Sequence, residues 1–484
     1  MKNIAAPRAG TLACLSLAIL LSGCSAPQRP TPSLHIANSA PLAGLPGNRP
    51  GWPKAAWWQQ FADPQLNQLM QQAMAGSPTL TVAQARYQQA TLAVRRQQAQ
   101  TQPQLKGTAN LGAGYSDYQF GAIKHHSGTL AGSALLNFSW DLDLWGKKAA
   151  AIAQAVDSAH AQQASKAVAR SALQYQLATL YFQWQAAAAR QQVLTGSLNT
   201  ANEYLRVVNA RIDAGVEDDN SRDKATAQLA QLRQQQAMLA GQLRIVHAQI
   251  AALIGISDGQ LPAFKMVALP TPQGALPANA KLGLMARRPD IVAARWQISA
   301  ASQGIKQAQA AYYPDISLSG LAAFLKMFPA LGSQSTDRAA LANIGPSVSL
   351  PLFEGDRLDA AFAASTAKLN TAIAHYNQTV VQAAGQVANA VLTLQQLTQA
   401  ATAQQSQYQA AQRQYQRAQL RVQQGVDDPR QALAARLQLN QQRDNRLQLQ
   451  AQRLNAQLQL IQQLGGGYQA PQQSSRPSAL KDAP

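Results

Sequence analysis

The sequence predicts a mainly α-helical chain, built twice from one unit, that also contributes four β-strands to a membrane barrel. Three observations carry this: an internal repeat at a near-constant offset, two proline-free stretches of 68 residues rich in Ala and Gln, and four segments in which apolar and polar residues alternate.

Lys2 and Arg8 precede an apolar stretch from Thr11 to Leu21, and Leu21-Ser22-Gly23-Cys24 follows. A charged start, a short apolar core and small residues make a secretory signal over residues 1–23. The core is too short to span a bilayer, and no later stretch approaches the roughly 18 to 20 uninterrupted apolar residues that spanning needs. Leu-Ser-Gly-Cys resembles the lipobox of bacterial lipoproteins, which implies cleavage before Cys24 and lipidation of its sulfur and new amino group. Ser25 stands where lipoproteins retained at the inner membrane typically have Asp, which implies sorting to the outer membrane. Cys14 falls in the signal, so the mature chain holds one cysteine and no internal disulfide.

The formal charge of +19 would indicate a nucleic-acid partner in a cytosolic protein. Export excludes that partner, and with only 13% of residues charged the excess is thinly spread. The expected counterpart is anionic lipopolysaccharide, an outer membrane lipid, or peptidoglycan.

Residues 24–56 are proline-rich and read as an extended tether. The duplication begins beyond them. Ser77-Pro78 and Pro103 recur as Arg288-Pro289 and Pro314 at an offset of 211, and Arg211-Ile212-Asp213-Ala214-Gly215-Val216-Glu217-Asp218-Asp219 recurs as Arg421-Val422-Gln423-Gln424-Gly425-Val426-Asp427-Asp428-Pro429 at an offset of 210. Offsets this constant mean duplication. The first repeat spans 57–261 and the second 278–464. Between them, in Gly255 to Pro277, four prolines exclude a continuous helix, and 262–277 is the linker. Residues 465–484 read as a flexible tail, with Gly465-Gly466-Gly467 as a helix stop lacking the Lys-Ser/Thr of a phosphate loop.

Within each unit the pattern is helix, strand, strand, long helix, turn, helix. Leu136, Phe138, Trp140, Leu142 and Leu144 alternate with Asn137, Ser139, Asp141 and Asp143, a half-apolar strand. Weaker alternation follows Pro103 and Pro314, and Val348, Leu350 and Leu352 complete four strands in two hairpins. The stretches 112–129 and 325–341, rich in Gly, Ser and His, read as exposed loops; His125-His126 has no further ligand nearby, so no metal or cofactor is expected. Lys147 to Ala214 and Arg357 to Gln424 would each make about 100 Å of helix. Leu173, Leu177, Leu180 and Trp184 in the first, and Ile373, Val380, Val387 and Leu394 in the second, have coiled-coil spacing. Four strands cannot close a barrel, because the smallest have about eight. Lipid forbids open edges, so the chain must oligomerise: two copies give eight strands around a filled interior, three give twelve around a pore.

At this point residues match a known family. Trp57-Trp58-x-x-Phe61-x-Asp63-Pro64-x-Leu66-x-x-Leu69, Asp141-Leu142-Asp143-Leu144-Trp145-Gly146, and Arg288-Pro289-Asp290-Ile291 followed by Ala311-Tyr312-Tyr313-Pro314-Asp315-Ile316 resemble the TolC-like outer membrane factors, specifically the OprM/NodT-type efflux lipoproteins. The resemblance covers Trp57 to Leu464. It implies a homotrimer with a twelve-stranded barrel in the outer membrane and a long helical tunnel through the periplasm. It also implies docking to a periplasmic adaptor and an inner-membrane pump of the resistance-nodulation-division, major-facilitator or fusaric-acid type, and export of drugs or other small molecules.

The same resemblance puts the turns at Gly215 and Gly425 at the periplasmic tips, where the tunnel narrows. Around them stand Glu217, Asp218, Asp219, Asp427 and Asp428, with Arg222, Arg421 and Arg430 as counter-ions. In a trimer such acids form rings that hold cations and repel one another unless protonated or paired; they serve equally well as caps of the returning helices. The Asp that the family commonly carries six residues past each glycine is replaced by Ser221 and Gln431. An enzyme is not expected: there is no Ser/His/Asp order, metal-ligand spacing or nucleotide loop. A coiled-coil structural lipoprotein or adhesin would share the signal and helices but lack the strands.

Overall fold

The computed structural model describes residues 33–42, 51–120, 122–272, 276–277, 280–329 and 337–470. Cys24 and the signal lie outside the described residues. Two short helices, α1 (Pro64–Gly76) and α2 (Pro78–Ala99), lead into strands β1 (Gln104–Phe120) and β2 (Ile123–Leu142). The first long helix, α3 (Lys147–Asp213), turns at Gly215 into α4 (Asp219–Ile254). The second unit repeats the order: α5 (Ala280–Arg287), α6 (Pro289–Ala310), β3 (Asp315–Pro329), β4 (Asp337–Ser349), α7 (Arg357–Gln423) and α8 (Pro429–Gln463).

The strands form one antiparallel sheet in the order β1-β2-β3-β4. The helices beneath continue that order. Near the sheet α2 packs on α3, α3 on α6 and α6 on α7; towards the other end α4 packs on α3, α3 on α8 and α8 on α7. The protomer is thus a slab four elements wide from end to end. The coiled-coil positions are its seams: Leu173 and Leu177 are buried, as are Ile373, Val380, Val387 and Leu394.

Halfway along, the opening motif forms a plug. Trp57, Trp58, Leu66 and Leu69 join Leu177, Tyr181, Ile250 and Leu458 in one core. Asp63 caps α1, accepting from the Gln65 and Leu66 amides, and Pro64 follows at the first helical position, where its missing N–H costs nothing. The Tyr181 hydroxyl also donates to Asp63 at 2.6 Å. Beside this core the interrepeat segment runs extended. Gln185, fully buried, donates to the Lys265 carbonyl and accepts from the Val267 amide, and Gln450 donates to the Leu269 carbonyl.

Several expectations need correction. The stretches 112–129 and 325–341 read as loops, yet β1 and β2 pair from Gln104↔Ser139 to Phe120↔Ile123, and β3 and β4 from Asp315↔Ser349 to Met327↔Asp337; residues 121 and 330–336 of those stretches lie outside the described residues. Backbone ladders need no hydrophobic alternation, so a Gly- and Ser-rich hairpin end is silent in the pattern. Leu350 and Leu352 lie outside β4, which ends at Ser349 before Pro351. One helix, α4, does have the length and composition to cross a bilayer. Its apolar residues have another use, since Val246, Ile250, Ala251 and Ile254 are buried against α1 and α3.

Gly465, Gly466 and Gly467 do end α8, but they do not begin a free tail. All three are buried with positive φ. An added Cβ would stand 2.0 Å from the Arg287 carbonyl oxygen at Gly465, 2.2 Å from Ser171 Oγ at Gly466 and 2.0 Å from the Lys54 carbonyl oxygen at Gly467. Residues 33–42 are likewise held, through Ala40 N–H to the Lys281 carbonyl and Ala37 N–H to Asn377 Oδ1.

Candidate functional site

The sheet has two chemically distinct faces, and the register assigns every residue to one of them. Leu105, Phe138, Gly320 and Ile344 stand in one row, and Trp140 and Leu318 in the next. The same face carries Leu111, Leu136, Leu142, Phe324 and Val348, most of them exposed. A sheet that shows Leu and Ile to its surroundings over such an area faces lipid. Ten residues separate Ile316 from Lys326, which sits opposite Arg338 on this face; that is about 33 Å of strand, or about 25 Å of height at barrel tilt. The opposite face begins with Asp141, Ser317 and Ser347, followed by Gln104, Ser139 and Ser319.

The helix end of the apolar band is marked by aromatic residues whose polar atoms are satisfied. Trp145 stacks on Tyr313 at 4.9 Å and donates to the Pro314 carbonyl at 2.8 Å, while Trp140 donates to the Thr101 carbonyl. Such rings belong at a membrane–water boundary. Asp143 explains its own place in the junction motif: its carboxylate accepts from the Lys148 and Ala149 amides and so starts α3, with Gly146 at φ 73 making the turn. Asp141 pairs with Lys148, and Asp315 with Lys147.

At the far end, about 100 Å away along α3, the two helix turns lie side by side. Gly215 and Gly425 take φ 69 and 73, and in each turn the next valine amide returns to an arginine carbonyl, Val216 to Arg211 and Val426 to Arg421. This is the left-handed helix end that glycine permits. Asp218 caps α4 through the Ser221 amide, and Asp428 caps α8 through the Arg430 amide at 2.8 Å.

The structure then brings together four charges from both repeats. Glu217 pairs with Arg211 and with Arg430, and Asp428 pairs with Arg430 at 2.9 Å and with Arg211 at 3.2 Å. Each acid therefore touches both arginines, and each arginine bridges the two turns. Asp427 stays within its own repeat, in a two-pronged pair with Arg421 at 2.7 and 2.9 Å. Asp219 pairs, among the described residues, only with Arg222. The Ser221 hydroxyl, then Arg211 and Arg430, hold the Glu217 carboxyl below the ordinary range. Arg421 does the same for Asp427, and at Asp428 partial burial is outweighed by Arg430 and Arg211. In the sequence Arg211 stands out only as part of the repeat. Its equivalence to Arg421 at an offset of 210 was the signal that it belonged to the tip.

An apolar band with an aromatic edge at its helix end, carried on a helical slab about 100 Å long, defines a class: an outer-membrane channel that extends through the periplasm. The chain belongs to the outer membrane efflux protein family, whose model matches residues 69–256 and 283–466. Among relatives, the multidrug resistance outer membrane protein MdtQ of Escherichia coli O6:H1 is 30% identical over 481 residues, covering 94% of this chain and 98% of that protein. MdtP of Escherichia coli K12 is 30% identical over 469 residues, covering 93% and 95%. Among solved structures, the outer membrane protein VceC of Vibrio cholerae has a TM-score of 0.71 at 29% identity, covering 86% of this chain and all of that one. The outer-membrane channel OprN has a TM-score of 0.75 at 25% identity, covering 92% and 99%.

The protein is thus the outer membrane channel component of an efflux system, located in the outer membrane with a periplasmic extension. Its family is one of channels, and membership implies a trimeric assembly that works with an adaptor and an inner-membrane pump.

Proposed function

We propose that three copies close into a twelve-stranded barrel over a helical tunnel, and that the paired tips are the periplasmic gate. One observation supports the closure above all: the same two sides of the slab are open at every level. On one side lie β1, α2 and α4, with Val82, Leu92, Met238 and Ile245 exposed; on the other lie β4 and α7, with Val381, Leu392 and Leu420 exposed. Joining these sides pairs the strand edges and covers the apolar helix edges in one operation. Two copies would leave eight strands and a filled interior, whereas three leave a pore.

The lipid on Cys24 supplements the barrel as a tether. The cargo is drugs or other small molecules handed over by an adaptor from a pump of the resistance-nodulation-division, major-facilitator or fusaric-acid type. The cross-repeat cluster of Arg211, Glu217, Asp428 and Arg430 ties the two turns of one protomer together, and three such pairs of turns around an axis narrow the entrance. Opening requires these pairs to exchange partners, and an adaptor is the agent placed to do it.

Conductance of the purified trimer in planar bilayers tests both parts. Asp428→Asn combined with Asp427→Asn keeps a capping side chain at the start of α8, because Asn caps as well as Asp, and removes the charges. Open events should become more frequent and cation preference should fall. Unchanged opening and selectivity would defeat the gate assignment while leaving the channel intact.

A further inference from the structure

The polar face of the sheet changes character along its length. In the rows nearest the helices it carries Ser139, Ser319, Asn137 and Asn343. In the last of these rows Leu321 stands between Asn137 and Asn343. Leu135 and Leu341 then flank Ala323, Leu325 lies between Ser133 and Ala339, and Met327 lies beside Ala131. The large side chains thus alternate with smaller ones across the three strands, with Met327 paired to Asp337 at the outer end, and Leu325, Met327 and Leu341 are 40%, 38% and 53% exposed. From Leu321 to Met327 the stripe is about 20 Å long, the length of a drug-sized molecule.

A water-filled barrel interior is ordinarily polar throughout, and an exposed apolar patch marks a contact surface. We infer that the outer half of the pore wall is an apolar belt, made of Leu135, Leu321, Leu325, Met327 and Leu341 in each protomer, which adsorbs amphiphilic organic solutes as they leave. This rests on the proposed barrel, which turns this face toward the pore. The belt gives the channel a preference of its own. Solutes with apolar surface leave the wide water column for the wall and move along it, whereas small hydrophilic ions pass without contact.

The test is a protection experiment on the full-length trimer carrying Leu341→Cys in lipid nanodiscs, with the parent trimer, whose Cys24 sulfur carries the lipid, as the unlabelled control. A charged maleimide that cannot enter lipid should modify the introduced thiol. Tetraphenylphosphonium should slow that modification about tenfold, the scale set by covering one aromatic ring's worth of apolar surface. Tetramethylammonium at the same concentration, equal in charge but without apolar area, should not. Adding Leu325→Ser and Met327→Ser should abolish the protection. Equal effects of the two cations, or protection that survives those serines, would overturn the belt. A thiol that the maleimide never reaches would mean that this face meets lipid, and the barrel reading itself would fall.

Discussion

Gly467→Ala should destabilise the protein far more than Gly215→Ala, although both glycines have nearly the same φ, 76 and 69. At Gly215 an added Cβ meets nothing within 4 Å. The cost is then the left-handed backbone alone, about 1–2 kcal/mol. At Gly467 the same methyl would lie 2.0 Å from the Lys54 carbonyl oxygen and 2.8 Å from Ala55 Cα, against an ordinary contact of 3.4 Å or more. The Lys54–Ala55 backbone, a strap across the glycines that end α8, must withdraw by more than 1 Å. Trp57 and Trp58 follow it directly and are buried in the central core. A gap of that size forfeits a quarter to a half of the contact energy around each ring, and a buried Trp contributes about 3–5 kcal/mol. Two rings therefore lose about 1.5–5 kcal/mol, and with the backbone cost the total reaches about 2.5–7 kcal/mol. Helical circular dichroism on heating, with both variants scanned at one rate, gives the comparison. If the two variants melt within the equivalent of about 1 kcal/mol of each other, the glycines at 465–467 do not clasp the strap and the reasoning is wrong.

Tyr181→Phe leaves the buried Asp63 with its two amide donors but without the hydroxyl, and should cost about 1–2 kcal/mol in the same melting assay. Burial and the Asp63 carboxylate push the Tyr181 hydroxyl up, so it donates throughout the ordinary pH range. At the tips Glu217 and Asp427 are held below their ordinary values of 4.5 and 3.8. A depressed acid stabilises the folded pairing above its unfolded pKa and loses that contribution as pH falls through the folded one. Conductance should therefore stay constant from pH 7 to about pH 5 and rise only below about pH 4; a rise near neutrality would contradict the pairing. Cys24→Ser behind a substituted cleavable signal should still yield membrane-inserted trimers on native gels, since the barrel edges and not the lipid hold the copies together. A soluble monomer would refute that.

Much of this was legible because the two halves of the chain report on each other. The prolines before each hairpin and the glycines at each tip bound the long helices, and the observed ends at Asp213 and Gln423 fall one residue inside the expected ones. The faces of β2 were equally plain, since Leu136 to Leu142 alternate strictly. What stayed hidden depends on contacts between distant segments. Glycine at 465–467 looks the same in a tail as under a carbonyl oxygen, and only the approach of Lys54 and Arg287 decides which it is. The hairpin ends were missed because backbone pairing leaves no mark on side-chain periodicity. The tip acids were found, but their partners were not. Arg211 and Asp428 are 217 residues apart in sequence, and only the packing of α8 on α3 brings them within 3.2 Å.

That last contact shows what the duplication has to keep equal. From the start of the first strand to the end of the second, the hairpin spans 39 residues in the first unit (Gln104–Leu142) and 35 in the second (Asp315–Ser349), so the hairpins need not match. The long helices are both 67 residues, and the returning helices are 36 and 35. Equal helices bring the two turns to the same depth and the same rotation about their axes. One extra residue in either long helix would raise its turn by about 1.5 Å and swing it by about 100°, carrying Arg211 away from Asp428 and Arg430 from Glu217. Strand length sets how far the hairpin projects beyond the membrane, where length has little consequence for pairing. Helix length sets whether the tips can be tied together at all.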